Sequence, residues 1–239
     1  MKTKQSKRYV ENPKIRSMRV RSWFHAVSQA SGLTVGELDR EFREEGAGRT
    51  PRSCIWNKYK RGEVVPRSRY QGDGRPKLVE RVEARYPGTE KWLFSPLWRL
   101  ADTAPVEMSE LRMVYEEMPP RIRDYFILPP SLATKVFWRR KFDSTHLISQ
   151  FIHFHSFDDL VAVLALIREA QVCQSHFNYQ MWVEVTLVLV RSVDWGGFEK
   201  TTIPQELFGY LRANWVTAKP ILDEEQCDRL LAFRQEFSG

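Results

Sequence analysis

Apolar residues recur at helical spacing through the first hundred positions. Val20, Trp23, Phe24, Val27 and Ala30 form one stripe at three-and-four spacing, and Gly32 ends it. Thr34-Val35-Gly36-Glu37 is a capping box: the Thr34 hydroxyl and the Glu37 carboxylate each satisfy an orphan backbone donor. A second helix is therefore predicted to start there and to bury Val35, Leu38 and Phe42. The segment 44–49 breaks the pattern. Thr50-Pro51 restarts it with a capping hydroxyl and a proline at the first helical position, predicting a third helix that ends at Arg61–Gly62. Its inward residues are Ile55, Trp56 and Tyr59. A fourth helix is predicted from Pro76, burying Leu78, Val79, Val82 and Tyr86 and stopping at Pro87-Gly88. Trp92, Leu93, Phe94, Leu97 and Trp98 carry no interleaved cations, so they are expected to pack this first domain or seal it to a second.

From residue 101 the pattern stays helical and is punctuated by Pro119-Pro120 and Pro129-Pro130. Ser156-Phe157-Asp158-Asp159 starts a helix whose apolar run, Leu160 to Ile167, is expected to be buried nearly all round. Trp182 to Val190 is rich in β-branched residues, yet its alternation is poor and its context helical, so a buried helix is expected there. Thr202-Ile203-Pro204 starts a further helix with Leu207 and Leu211. Asp223 and Gln226 start the last, burying Cys227, Leu230, Leu231 and Phe233. The reading is a mainly α chain: a helical domain over 17–100, then a larger all-helical domain over 101–239. No fixed-period repeat is visible.

Composition supports folding, since 42% of the 239 residues are hydrophobic. The longest apolar run has eight residues, Leu160 to Ile167, against the roughly 20 that span a bilayer, so no membrane insertion is expected. Cys54, Cys173 and Cys227 are scattered and odd in number, with no CxxC and no leader-like segment before them. The expectation is a reduced, cytoplasmic protein without a disulfide framework.

Charge changes the picture more. The first hundred residues carry a net +12 and the remainder −5, for a total of +7. The amino-terminal part should be drawn to a polyanion and the carboxy-terminal part should not. Residues 1–16 hold six cations, from Lys2 to Arg16, with little to bury, and read as a flexible basic arm. On the third helix the outward or edge positions are Arg52, Ser53, Asn57, Lys58, Lys60 and Arg61. Arginine and asparagine can make bidentate contacts with base edges, and lysine can neutralise phosphate. The loop after Pro66, with Arg67 and Arg69, either trails along a phosphate backbone or connects the helices.

Gly32-Leu33-Thr34-Val35-Gly36-Glu37-Leu38 resembles the G-L-T-x-x-E-L opening of the second helix in the XRE (Cro and phage-repressor class) helix-turn-helix family. Trp56-x-x-Tyr59-x-x-Gly62-x-x-x-Pro66 is similar to that family's I-x-x-W-x-x-G-x-x-x-P close of the recognition helix. The similarity covers about residues 17–66, and the segment from Glu44 to Arg49 is longer than the family's tight turn. The resemblance implies a third helix in the major groove of double-stranded DNA, with Arg52 and Ser53, and after them Asn57, as the base-facing candidates and Thr34 toward the backbone. It also implies a dimer on two half-sites. The expected DNA-facing set is Thr34, Thr50, Arg52, Ser53, Asn57, Lys58, Lys60, Arg61, Arg67 and Arg69.

No catalytic constellation is legible: there is no Gly-rich phosphate loop, HExxH or GxSxG. His153, His155, Cys173 and His176 bring four side chains of metal-ligand type within one region, but alternate residues diverge on a helix, so capping or partly buried histidines are expected instead of zinc ligands. No cofactor and no metal are expected. Two functions follow: a non-enzymatic, sequence-specific transcriptional regulator whose second domain dimerises or receives a protein partner, or an interaction subunit of a mobile-element or phage-related assembly that grips nucleic acid without reading it.

Overall fold

Helix α1 (Pro13–Ser31) begins where Asn12 accepts a hydrogen bond from the Lys14 amide and proline occupies the first turn, and it ends at Gly32 with φ 67°. The computed structural model describes residues 9–43, 55–67, 76–129, 131–132, 138–198 and 201–216. Among them the protein is all α, with twelve helices and one isolated bridge, Ile127 to Arg139. The chain divides into two units, Met1–Ala104 and Pro105–Gly239.

In the first unit α1 is longer than its sequence stripe. Ile15 is fully buried, and Tyr9 and the Asn12 amide both donate to the Asp102 carboxylate, at 2.7 and 2.8 Å. The basic arm expected over 1–16 is thus corrected: residues 13–16 are helix and 9–12 are held down, because one buried isoleucine and one buried acceptor offset their ordering. Residues 1–8 lie outside the described residues. Ala30 is exposed, at the edge of the α1 stripe rather than its centre.

Helices α2 (Val35–Glu41), α3 (Ile55–Arg61), α4 (Leu78–Arg85), α5 (Lys91–Phe94) and α6 (Pro96–Ala101) follow. Helix α1 packs on α3, α5 and α6, and α2 on α3. Their core joins Val20, Trp23 and Val27 to Leu38, Trp56, Tyr59, Val79, Val82 and Leu93. Of the cluster after Thr89, Trp92, Leu93, Leu97 and Trp98 are buried, but Phe94 is 51% exposed. Helix α4 starts two residues after Pro76, with no side-chain cap.

The second unit comprises α7 (Met108–Glu117), α8 (Pro120–Phe126), α9 (Ser144–Phe154), α10 (Phe157–Val172), α11 (His176–Ser192) and α12 (Ile203–Trp215). Ser156 and Asp159 form the capping box of α10. Leu160 to Ile167 is buried on every side, because α7, α8, α9 and α11 all pack around α10. That all-round contact is why the segment shows no amphipathic stripe. Trp182 to Val190 lies in α11, which packs on α9, α10 and α12. The expected last helix, with Cys227, lies outside the described residues. Among the described residues no helix is long and apolar enough to cross a membrane.

One polar network ties the unit together. Arg139 donates twice to Glu169, at 2.8 and 2.9 Å, and Glu169 also accepts from the Tyr115 hydroxyl at 2.7 Å. The Arg139 guanidinium lies 4.8 to 5.0 Å from the ring centroids of Tyr115, Phe126 and Phe142. Burial beside this carboxylate holds the Tyr115 phenol well above its usual range. Glu169→Gln keeps an acceptor but strands the arginine charge. Since the pair is partly exposed, at 21% and 16%, we expect a loss of ~2–3 kcal/mol, below the cost of breaking a fully buried pair. Urea unfolding of the full chain checks this, and a loss under ~1 kcal/mol would show that solvent already screens the pair.

Candidate nucleic-acid interface

The Gly32 turn delivers Thr34 to the cap of α2. The Glu37 amide donates to the Thr34 hydroxyl at 3.4 Å, and the Glu37 carboxylate accepts from the Thr34 amide and hydroxyl at 2.8 and 2.7 Å. Those bonds from Thr34 hold the Glu37 carboxyl below the usual carboxylate range. Thr34 is exposed, but its hydroxyl is already engaged in the cap.

Two rings anchor α3. Trp56 is 2% exposed and stacks on Trp23 of α1, with centroids 5.7 Å apart and planes at 14°. Tyr59 meets both tryptophans edge-on, at 5.5 and 5.6 Å, and Phe42 closes the box at 5.8 Å from Trp56. Burial pushes the Tyr59 phenol up to about 12, so the anchor stays neutral through the physiological range. Offset and edge-to-face pairs of this kind add ~0.5–1.5 kcal/mol each beyond burial and fix orientation.

The helix then stops in a Schellman turn. The Glu63 amide donates to the Lys58 carbonyl and the Gly62 amide to the Tyr59 carbonyl, both at 2.9 Å, with Gly62 at φ 69°. Pro66 is buried just beyond.

With Trp56 and Tyr59 turned inward, Asn57, Lys58, Lys60 and Arg61 are exposed. Arg61 is not wholly available: its Nε and Nη2 donate to Glu63 at 2.5 and 3.1 Å, and this contact holds the Glu63 carboxyl below its ordinary range. Arg67 is exposed, and its carbonyl accepts from the Val79 amide at 3.3 Å, which fixes the chain near the start of α4. Thr50, Arg52, Ser53 and Arg69 lie outside the described residues.

Two neighbours were missed from sequence. His25 of α1 is half-buried, and burial, then Arg21 and Lys60, lower its pKa. His25 thus feels both Arg21 of its own helix and Lys60 of α3, on which α1 packs. The only signal was the i, i+4 spacing of Arg21 and His25 off the apolar stripe. Other cations serve structure: Arg81 donates to the Phe42 carbonyl at 2.9 Å, closing the end of α2, and Arg85 and Tyr86 both reach Glu41.

The face can offer ammonium and amide donors to a polyanion. Among the described residues no three His, Cys, Asp or Glu side chains stand where they could hold a metal. His155 is the left-handed cap of α9, at φ 37°, while His153, Cys173 and His176 are exposed at helix ends. Set against protein-family models, curated proteins and solved structures, the chain matches none.

Proposed function

We propose that the chain is a sequence-specific DNA-binding transcriptional regulator that lays α3 in the major groove. One observation carries the reading. Trp56 and Tyr59 are locked into the core, while Asn57, Lys58, Lys60 and Arg61 stand exposed on the same short helix. A groove reader needs this division, because a helix that must hold base edges in register cannot rotate on its own globule. The XRE-like pattern of residues 32–38 and 56–66 supplies the docking sense, with α2's start toward phosphate and the amino-terminal side of α3 toward bases. The second unit is assigned dimerisation or a protein partner, and the working compartment is the cytoplasm.

A second reading has its own support: the exposed positions are mostly lysine and arginine, which suit phosphates in any sequence. On this view the chain grips nucleic acid as a subunit of a larger assembly. Random-sequence selection with the full chain at near-physiological salt separates the two, since electrostatic affinity depends on that salt. An enriched palindrome supports specific, two-fold reading, whereas an unenriched but retained pool supports the second.

Substitutions sharpen the contrast. Arg52→Ala is expected to cost roughly 1–3 kcal/mol on the selected site and to relax preference at one base pair. Lys60→Ala should weaken all sequences alike and reduce the salt slope by about one. Glu63→Gln removes the carboxylate beside Arg61 and should tighten binding about two- to fivefold on every sequence, as expected when one competing surface anion is lost. If Glu63→Gln leaves affinity unchanged in a gel-shift titration, Arg61 does not face phosphate.

A further inference from the structure

The second unit carries a cleft of about 510 Å³, lined by α8, by residues 140–143 and by His146 in the first turn of α9. We infer that it binds a small aromatic anion: a ring bearing one carboxylate or phosphate group. This does not rest on DNA binding.

The volume lies within the ~300–1,000 Å³ typical of small-ligand sites. The chemistry follows from which lining groups are already occupied. Arg121 donates to Asp159 at 2.8 Å and lies 4.2 Å over the Phe154 ring, so it holds α8 to α10. Asp143 accepts from the Thr145 amide as the cap of α9. Lys141 has no ion-pair partner among the described residues, and Arg140 spends Nη1 on the Asp124 carbonyl at 3.0 Å, leaving further donors. These two cations, both lining the cleft, favour an anionic group.

The ring requirement comes from the walls. Tyr125 and His146 pair with centroids 6.0 Å apart. Phe142 lines the cleft as well, braced by Phe126 at 5.7 Å and Trp182 at 6.2 Å. Such surfaces stack on a planar guest. Asp124 and Asp143 set the upper limit on charge, because two carboxylates in the lining repel a polyphosphate or a nucleic-acid strand more than a single anion.

Calorimetric titration of the full chain with phenyl phosphate, benzoate, inorganic phosphate and benzyl alcohol tests this. At least one aryl anion should saturate a single site with a Kd at or below about 1 mM, and the tighter of the two identifies the anionic group. Inorganic phosphate and benzyl alcohol should each bind at least about tenfold more weakly. Lys141→Gln combined with Arg140→Gln should weaken the aryl anion about tenfold or more, as losing charge-assisted bonds implies. Tyr125→Ala should weaken it while far-UV circular dichroism stays unchanged. The inference is overturned if neither aryl anion saturates, if phosphate or benzyl alcohol binds as tightly, or if the double variant binds undiminished.

Discussion

Trp56→Ala is expected to lower the unfolding free energy by ~3–5 kcal/mol and to abolish nucleic-acid binding with it. The indole is buried and touches rings from two other helices: Trp23 and Phe24 on α1, and Phe42 at the end of α2. Truncation leaves a cavity at the point where the three helices meet. Trp56→Phe retains part of the stack and should lose only about half as much, within the range for partial truncation. Urea unfolding of the full chain followed by circular dichroism gives the stability, and gel shift gives the binding. A loss under ~1 kcal/mol would mean that α3 is held by something other than its rings.

Gly62→Ala should be comparably damaging for a different reason. A Cβ added there would collide with the Ser17 hydroxyl and lie 2.6 Å from its carbonyl oxygen and 2.9 Å from its Cα. The last two are backbone atoms of α1 and cannot turn aside. The left-handed φ of 69° adds ~1–2 kcal/mol for any residue with a side chain, and forcing the helices apart adds ~1–3 kcal/mol more. Gly36→Ala is the control: it sits in α2 with open space around its Cβ position, so it should be neutral or stabilising by up to ~1 kcal/mol. Equal effects at the two glycines would refute the close approach of α1 to the end of α3.

These two residues also show how unevenly the sequence speaks. The W-x-x-Y-x-x-G spacing marks both the inward face of α3 and its stop, because helical period and a left-handed turn are properties of a few neighbouring residues. Nothing in that spacing says that Gly62 lies against Ser17, 45 positions earlier in the chain. His25 escaped notice for the same reason: its closeness to Lys60 exists only once α1 crosses α3. The cleft in the second unit was illegible altogether, since its walls come from two helices and the segment 140–143.

What the amino-acid order alone decides here is where helices start and stop. Thr34 with Glu37, Gly62 and Ser156 with Asp159 each act through backbone groups within five residues, so no distant partner is needed. What the tertiary structure alone decides is which side chains remain available. Arg81 turns to the Phe42 carbonyl, Arg121 to Asp159 and Arg139 to Glu169, while Lys58, Lys60 and Lys141 remain exposed. A cation's charge is written in its residue type, but its availability depends on which acceptors packing brings within 3 Å, and most of those acceptors lie tens of residues away.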